Sequence, residues 1–337
     1  FIIYFFLMPI NVKGLTKYFR LFKREAGLSA AFRSFFNRKY ENFHALKNIS
    51  IQIQDGEILG ILGENGAGKT TLIKLMVGLL HPSSGYVEIN GFTPWQRKSV
   101  FLKQIAVIMG QKNQLWWDIP ASESFLLNQK IYEIPDKQYQ KMLNELVDLL
   151  DVRDKLNIQV RRLSLGERMK MEIIAALIHN PKIVFLDEPT IGLDVISQSK
   201  IREFVKYYNQ EYQTTFLLTS HYMNDIEALC ERVFVIHKGN SLYDGNFEEL
   251  VNRINPRRKL LFEFSIFPDQ DILKDLSSKF SFIQTEKIIH AELPAKELTD
   301  LVSELFKLDT PASITLEDLP VDDTMRSFFA EPEKFLS

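Results

Sequence analysis

The chain has 337 residues, of which 45% are hydrophobic and 25% charged, and its formal net charge is -2. That is enough for one large globular domain and one small one, and a charge so close to zero gives no general argument for nucleic-acid binding. The single cysteine, Cys230, excludes an intramolecular disulfide framework and fits a reducing cytoplasm.

The chain opens on seven apolar residues, Phe1 to Leu7, followed by Met8. They are too few to span a membrane, and no basic region or cleavage site accompanies them. Residues 1–8 therefore read as a gene-start extension, with a short hydrophobic anchor as the other reading. No other stretch approaches the roughly 20 apolar residues of a membrane helix, so a role at a membrane requires another polypeptide to cross it.

Residues 10–19 read as an edge strand, and residues 20–40 as an inserted basic, aromatic arm with Leu28, Phe32 and Phe35 at helical spacing. Such an arm is either a solvated helix with an apolar stripe or a contact for anionic headgroups or a membrane partner. Residues 44–54 alternate as a strand and lead through the turn at Asp55-Gly56 into the apolar run Ile58 to Leu62.

Residues 63–71, GENGAGKTT, form a complete phosphate-binding loop between that run and a helical one, Leu72 to Leu80. Backbone N–H groups of Gly63, Glu64, Asn65, Gly66, Ala67 and Gly68, continuing into Thr71, can surround phosphate oxygens at the positive end of the helix. Lys69 can reach the β- and γ-phosphates, and the Thr70 hydroxyl can ligate Mg²⁺.

A short strand follows near Tyr86 to Asn90, and residues 121–156 carry helical periodicity. Residues 163–168, LSLGER, stand before an apolar run and place Ser164 and Gly166 at a helix N-terminus, where an anion is favoured. Alone this could be a plain N-cap. Runs 183–187, 215–219 and 233–237 suit buried parallel strands. The first ends in Asp187 and Glu188, placed to hold Mg²⁺ and to polarise an attacking water. Beyond Phe247, strands at 259–266 and 286–292 alternate with helices at 270–279 and 295–307, then a strand near 312–316 and a helix near 321–330. Residues 256–337 thus read as a small α+β accessory domain without a catalytic cluster.

Taken together, GENGAGKTT, LSLGER, LDEPTIGLD and TSH resemble the nucleotide-binding subunit of an ABC transporter, over roughly residues 10–250. The resemblance implies an α/β, P-loop NTPase core at 9–250 with a mainly parallel sheet, an antiparallel β subdomain and a helical signature subdomain at about 112–180. It implies ATP and Mg²⁺ as cofactors. Ser164 and Gly166 would contact ATP held by a second subunit, in a homodimer or heterodimer, although Leu165 and Glu167 depart from the family's LSGGQ. Asp194 matches the loop that crosses that interface, and His221 matches the switch histidine that meets the γ-phosphate.

Gln111 matches the glutamine that reaches Mg²⁺ and the attacking water, with Gln114 as the alternative. Tyr40 fits the aromatic that stacks on adenine, with Phe19 as competitor. Trp116 and Trp117 fall where a polytopic transmembrane permease should dock. The subgroup it most resembles is the ATPases of ABC-2-type, drug-efflux exporters, working peripherally at the cytoplasmic face of the membrane. The alternative is a soluble ABC ATPase of regulation, translation or DNA maintenance, but such proteins usually carry two cassettes or a long inserted coiled coil, and neither is present.

Overall fold

The computed structural model describes residues 9–22, 40–110, 113–266, 270–308, 311–318 and 320–336. The expected extension at 1–8 and the apolar stripe of the arm, Leu28, Phe32 and Phe35, lie outside them. The chain forms two compact units, Phe1–Gly245 and Asn246–Ser337.

In the first unit, β1 (Ile10–Phe22), β2 (Tyr40–Ile53), β3 (Ile58–Leu62) and β4 (Ser84–Ile89) surround the helix α1 (Lys69–Met76). β1 is not the edge strand the sequence suggested: it lies between β2 and β4 in an antiparallel sheet. Its alternation is interrupted by register shifts around Leu15, which hid its two-sided pairing. The hairpin of β1 and β2 runs out to the pair Phe22 and Tyr40, so the ends of the expected helical arm are strand.

A second sheet has the order β5-β6-β7-β3-β8-β9, with β5 (Ile105–Met109), β6 (Ile183–Asp187), β7 (Thr215–Thr219), β8 (Arg232–His237) and β9 (Asn240–Asn246). β5, β6, β7, β3 and β8 run parallel. β7 is buried at every position, which explains its unbroken TFLLT run where a half-solvated strand would alternate. Leu72, Ile73, Leu75 and Met76 of α1 join Ile10, Ile49 and Ile51 to Ile61, Phe185 and Leu217 in one core. The two sheets therefore hold α1, and the loop before it, from both sides. Helices α2 (Ala121–Ile131), α3 (Asp136–Leu149) and α4 (Leu165–Leu177) form the helical region, followed by α5 (Val195–Tyr212) and α6 (Met223–Leu229).

The second unit begins with α7 (Phe247–Ile254). It continues as β10 (Arg257–Phe264), α8 (Gln270–Lys279), β11 (Phe282–Thr285), β12 (Ile288–Pro294), α9 (Ala295–Leu308) and β13 (Pro311–Asp318), then α10 (Val321–Ala330). Its antiparallel sheet has the order β11-β12-β10-β13, the βαββαβ arrangement of a ferredoxin-like unit. Leu298, Leu301 and Leu305 of α9 pack with Leu273, Leu276, Leu260 and Phe262. β11 was not expected from sequence; it is a short edge strand with Ile283, Gln284 and Thr285 exposed, so it carries no alternation.

Candidate active site

β3, β6 and β7 end side by side, and the loops leaving their carboxyl ends carry most of the motif residues. Two glycines fix the first loop. A Cβ on Gly63, at φ 153°, would stand 2.3 Å from the Ile236 carbonyl oxygen, and one on Gly68, at φ 119°, would stand 2.6 Å from the Ala45 carbonyl oxygen. Gly68 also opens α1 with no side-chain cap, which leaves the first-turn N–H groups facing an incoming anion. Ala67 is buried, whereas Asn65 is exposed and Glu64 stands 3.4 Å from His237 Nδ1.

Lys69 is buried, and its Nζ donates to the carbonyls of Gly63 at 2.7 Å and Glu64 at 3.2 Å. Burial lowers its pKa, while Glu188, Asp187 and Glu64 pull it back up. The ammonium thus lies folded into the loop, able to exchange two carbonyls for phosphate oxygens. Thr70 Oγ1 donates to Asp187 Oδ2 at 3.0 Å, and Thr219 Oγ1 donates to Asp187 Oδ1 at 2.7 Å. A hydroxyl and a carboxylate meeting in this way are hard oxygen donors of the kind Mg²⁺ takes beside phosphate.

Glu188 adopts φ 57°, a left-handed conformation uncommon for a residue with a Cβ. Its N–H is held by Thr219, through the carbonyl at 3.0 Å and Oγ1 at 3.2 Å. His221 Nε2 stands 2.7 Å from Glu188 Oε1, so the ring N–H donates to the carboxylate. Lys69, Thr70, Asp187, Glu188 and His221 are therefore gathered in one place from three segments of the sequence. Thr219, which orients both carboxylate residues, was missed as a site residue; its signal was its place as the first residue of TSH.

Ser164 and Asp194 form a second group. Ser164 caps α4: its Oγ accepts from Glu167 N at 3.2 Å, and its own N–H donates to Glu167 Oε2 at 2.9 Å. This reciprocal box gives Glu167 a structural reason to be there, and those bonds to Ser164 are the main cause of its lowered pKa. Leu165 is a helical residue outside the positive-φ set, so its Cβ restricts nothing the backbone needs here. A Cβ on Gly166 would stand 2.4 Å from Ser197 Oγ, so α4 and α5 approach closely here and a larger residue would have to displace the Ser197 hydroxyl. Asp194 caps α5 by accepting from Ser197 N at 2.9 Å and Ser197 Oγ at 2.7 Å, which lowers its pKa. Among the described residues, no side-chain hydrogen bond or ion pair joins this group to the cluster around Lys69.

Gln111 lies outside the described residues. Gln114, its alternative, turns its side-chain amide back to the Val107 carbonyl at 2.5 Å, while its N–H donates to Glu172 Oε1 at 3.0 Å. Tyr40 is placed only by its backbone pairing with Phe22. A cavity of about 680 Å³ opens beside the loop, lined by Leu21, Phe43, His44, Lys47, Gly66 and Lys238 among others. Phe43 pairs across the hairpin with Phe19 and is 50% exposed.

Trp116 and Trp117 are 61% and 43% exposed, with the Arg168 guanidinium 4.9 Å from the Trp117 ring centre. A groove of about 450 Å³ is lined by residues including Leu79, Val107, Gln114, Tyr132 and His179. His179 stacks on Tyr132 with ring centres 3.8 Å apart, and Nε2 meets the Ile105 carbonyl at 3.2 Å. Burial pushes its imidazole pKa down to about 4, against the weaker upward pull of that carbonyl. The unfolded chain then takes up the proton first as pH falls. Stability held above an unfolded pKa of about 6.5 is lost progressively toward pH 4, by up to about 3 kcal/mol. Between pH 7.5 and 5 the melting temperature of wild type should fall more than that of His179→Gln; equal falls contradict this.

Comparison with known proteins gives the class of this arrangement. The family model described as ABC transporter matches residues 46–191. The chain is 36% identical over 215 residues to the ABC transporter ATP-binding protein NatA of Bacillus subtilis, covering 64% of this chain and 87% of NatA. It is 32% identical over 228 residues to the bacitracin transport ATP-binding protein BcrA of Bacillus licheniformis, covering 68% and 72%. Its fold matches the dimeric ATP-binding cassette MJ0796, in a post-hydrolysis state with ADP and phosphate, at a TM-score of 0.58 and 23% identity, covering 70% and 98%. The chain belongs to the ABC transporter ATP-binding family and is an ATP-binding, ATP-hydrolysing subunit. The soluble alternative is not the reading these relatives favour. No helix among the described residues is long and apolar enough to cross a membrane.

Proposed function

We propose that this subunit powers export through a separate polytopic permease, working as one of two ATPase subunits at the cytoplasmic face of the membrane. The observation that carries the hydrolytic part is the convergence of Lys69, Thr70, Asp187, Glu188 and His221 at the ends of β3, β6 and β7. Lys69 leaves its loop carbonyls for the β- and γ-phosphates, and the loop N–H groups from Gly63 to Thr71 hold the remaining oxygens. Thr70 and Asp187, with Gln111, are the residues for Mg²⁺, which would neutralise charge between the phosphates. Glu188 polarises the attacking water. His221, now donating to Glu188, turns its N–H to the γ-phosphate when nucleotide arrives. Ser164, Gly166 and Asp194 serve the nucleotide of the other subunit.

Adenine enters the cavity between the hairpin and the loop. Phe43 is there a third aromatic candidate beside Tyr40 and Phe19, and stacking contributes on the order of 1 kcal/mol. Alanine at the stacking residue should weaken ATP binding several-fold, as read by equilibrium titration of the three variants. Full affinity in all three overturns this placement.

Export rests on the relatives named for ABC transport and bacitracin transport. Partner docking rests on the exposed tryptophan pair and the groove. The test is purification from membranes: the subunit should bring down a polytopic protein, and Trp116→Ala with Trp117→Ala should lose it while still binding ATP. Recovery only from the soluble fraction, with no such partner, overturns the proposal. The accessory unit has no phosphate loop in its sequence, and its role is regulation or dimerisation.

A further inference from the structure

Asp225 is a carboxylate on α6 with no exposed surface, and the hydrolysis chemistry above makes no use of it. It nonetheless receives donors from three other segments. Its Oδ2 accepts from Thr190 Oγ1 in a short hydrogen bond, and from Ser220 Oγ at 2.8 Å. Its Oδ1 accepts from Arg202 Nη1 at 2.8 Å. Ser220 Oγ in turn accepts from the Tyr222 N–H at 3.0 Å, which closes the turn around His221.

Each donor sits beside a residue of the site. Thr190 is two residues past Glu188, Ser220 immediately precedes His221, and Arg202 lies on α5, the helix Asp194 caps. One buried carboxylate thus receives the loop carrying the water-polarising group, the loop carrying the switch histidine, and the helix behind the interface aspartate.

We propose that Asp225 is a positioning residue for hydrolysis, a latch that fixes Glu188 and His221 relative to each other and to α5. The inference rests on the assignment of hydrolysis to Glu188 and His221. The left-handed Glu188 has its N–H fixed by Thr219, but its carboxylate contacts His221, whose loop is anchored on the far side through Ser220. Releasing that anchor lets the two loops move separately, and a misplacement of about 1 Å in a reacting group can cost on the order of 100-fold in rate. The site needs an acceptor on both sides, since Thr190 and Ser220 donate to one oxygen and Arg202 to the other. An asparagine offers one acceptor oxygen and turns an NH₂ toward a donor. A glutamate keeps both oxygens.

The experiment measures kcat, KM and ATP affinity of the full chain, with its membrane partner where turnover needs it. The variants are Asp225→Asn, Asp225→Glu, Ser220→Ala, Thr190→Val, Glu188→Gln and the double variant Asp225→Asn/Glu188→Gln. Asp225→Asn should lose roughly 10- to 100-fold in kcat with ATP affinity within about 3-fold, and Asp225→Glu should recover part of it. Ser220→Ala and Thr190→Val, each removing one arm, should give smaller losses of the same kind; they carry the test if Asp225→Asn does not fold. The double variant should be no slower than Glu188→Gln alone, because the latch acts through a group already removed. A merely structural loss would multiply instead. Full kcat in folded Asp225→Asn beside an inactive Glu188→Gln overturns the latch alone, as do multiplying losses. Turnover retained by Glu188→Gln overturns the site assignment beneath it.

Discussion

Replacing Glu188 with glutamine should slow turnover by at least ~100-fold, the range for loss of a positioned base, while MgATP still binds. The variant keeps the shape of the loop, since the Glu188 N–H bonds to Thr219 do not involve its side chain. A glutamine Oε1 can still accept from His221 at the position where the carboxylate now stands 2.7 Å away. Only the negative charge that polarises water is lost. Among the described residues no neighbour supplies it. Asp187 is occupied by Thr70 and Thr219, and Glu64 lies out toward His237 with half its side-chain surface exposed. ATP binding is spared because Lys69, Thr70 and the loop N–H groups are untouched. With hydrolysis blocked and binding intact, the variant should accumulate as an ATP-bound dimer, visible by size-exclusion chromatography with ATP. Near-normal steady-state turnover removes Glu188 from this role.

That Lys69, Thr70, Asp187, Glu188 and His221 belong together was legible in the sequence because each lies in its own local motif. The GENGAGKTT spacing, with Lys69 and Thr70 at its end between an apolar strand and a helix, is a specific phosphate-binding signature, and an apolar strand ending in Asp187 and Glu188 marks a carboxyl edge. The parallel strands were legible for a related reason: fully buried runs such as TFLLT at 215–219 leave no polar face to confuse the period. β1 was misjudged as an edge because its register shifts broke the alternation that its two partners would otherwise have imposed. β11 went unread because a four-residue exposed edge has no pattern to show.

What the sequence hid were contacts across long separations. Thr219 was visible inside TSH, but nothing local says that its hydroxyl orients Asp187, 32 positions earlier. Asp225 reads as an ordinary first-turn acid of α6, and only the fold brings Thr190 and Arg202 to it. Glu167 was an anomaly against the family pattern until the capping box with Ser164 gave it a partner. The cavity beside Phe43 depends on the register of β1 against β2, which is set by bulges rather than by any residue that can be read alone.

The second large effect concerns the two separate groups of site residues. Ser164 is held by Glu167, Asp194 by Ser197, and Gly166 packs against Ser197, yet none of the three hydrogen-bonds to the Lys69 cluster of the same chain among the described residues. If they serve the nucleotide of a second subunit, Lys69→Ala and Ser164→Arg should each be inactive alone. The first loses the ammonium that meets the phosphates. The second removes a helix cap, at about 1 kcal/mol, and sets a bulky cation where the partner's γ-phosphate approaches. In a mixed dimer one site carries both defects and the other carries none, because the loop of the Ser164→Arg subunit meets the signature helix of the Lys69→Ala subunit.

Random two-fold pairing makes about half of the dimers mixed, each with one intact site of two, so roughly a quarter of normal activity should return; strong coupling between the sites lowers that figure. The decisive measurement is the ATPase rate of the two variants co-expressed in equal amounts, with the membrane partner present where turnover requires it. Two inactive variants yielding an active mixture is the result predicted for shared sites. Full activity of Ser164→Arg alone, or a mixture of confirmed heterodimers as inactive as its parts, contradicts them.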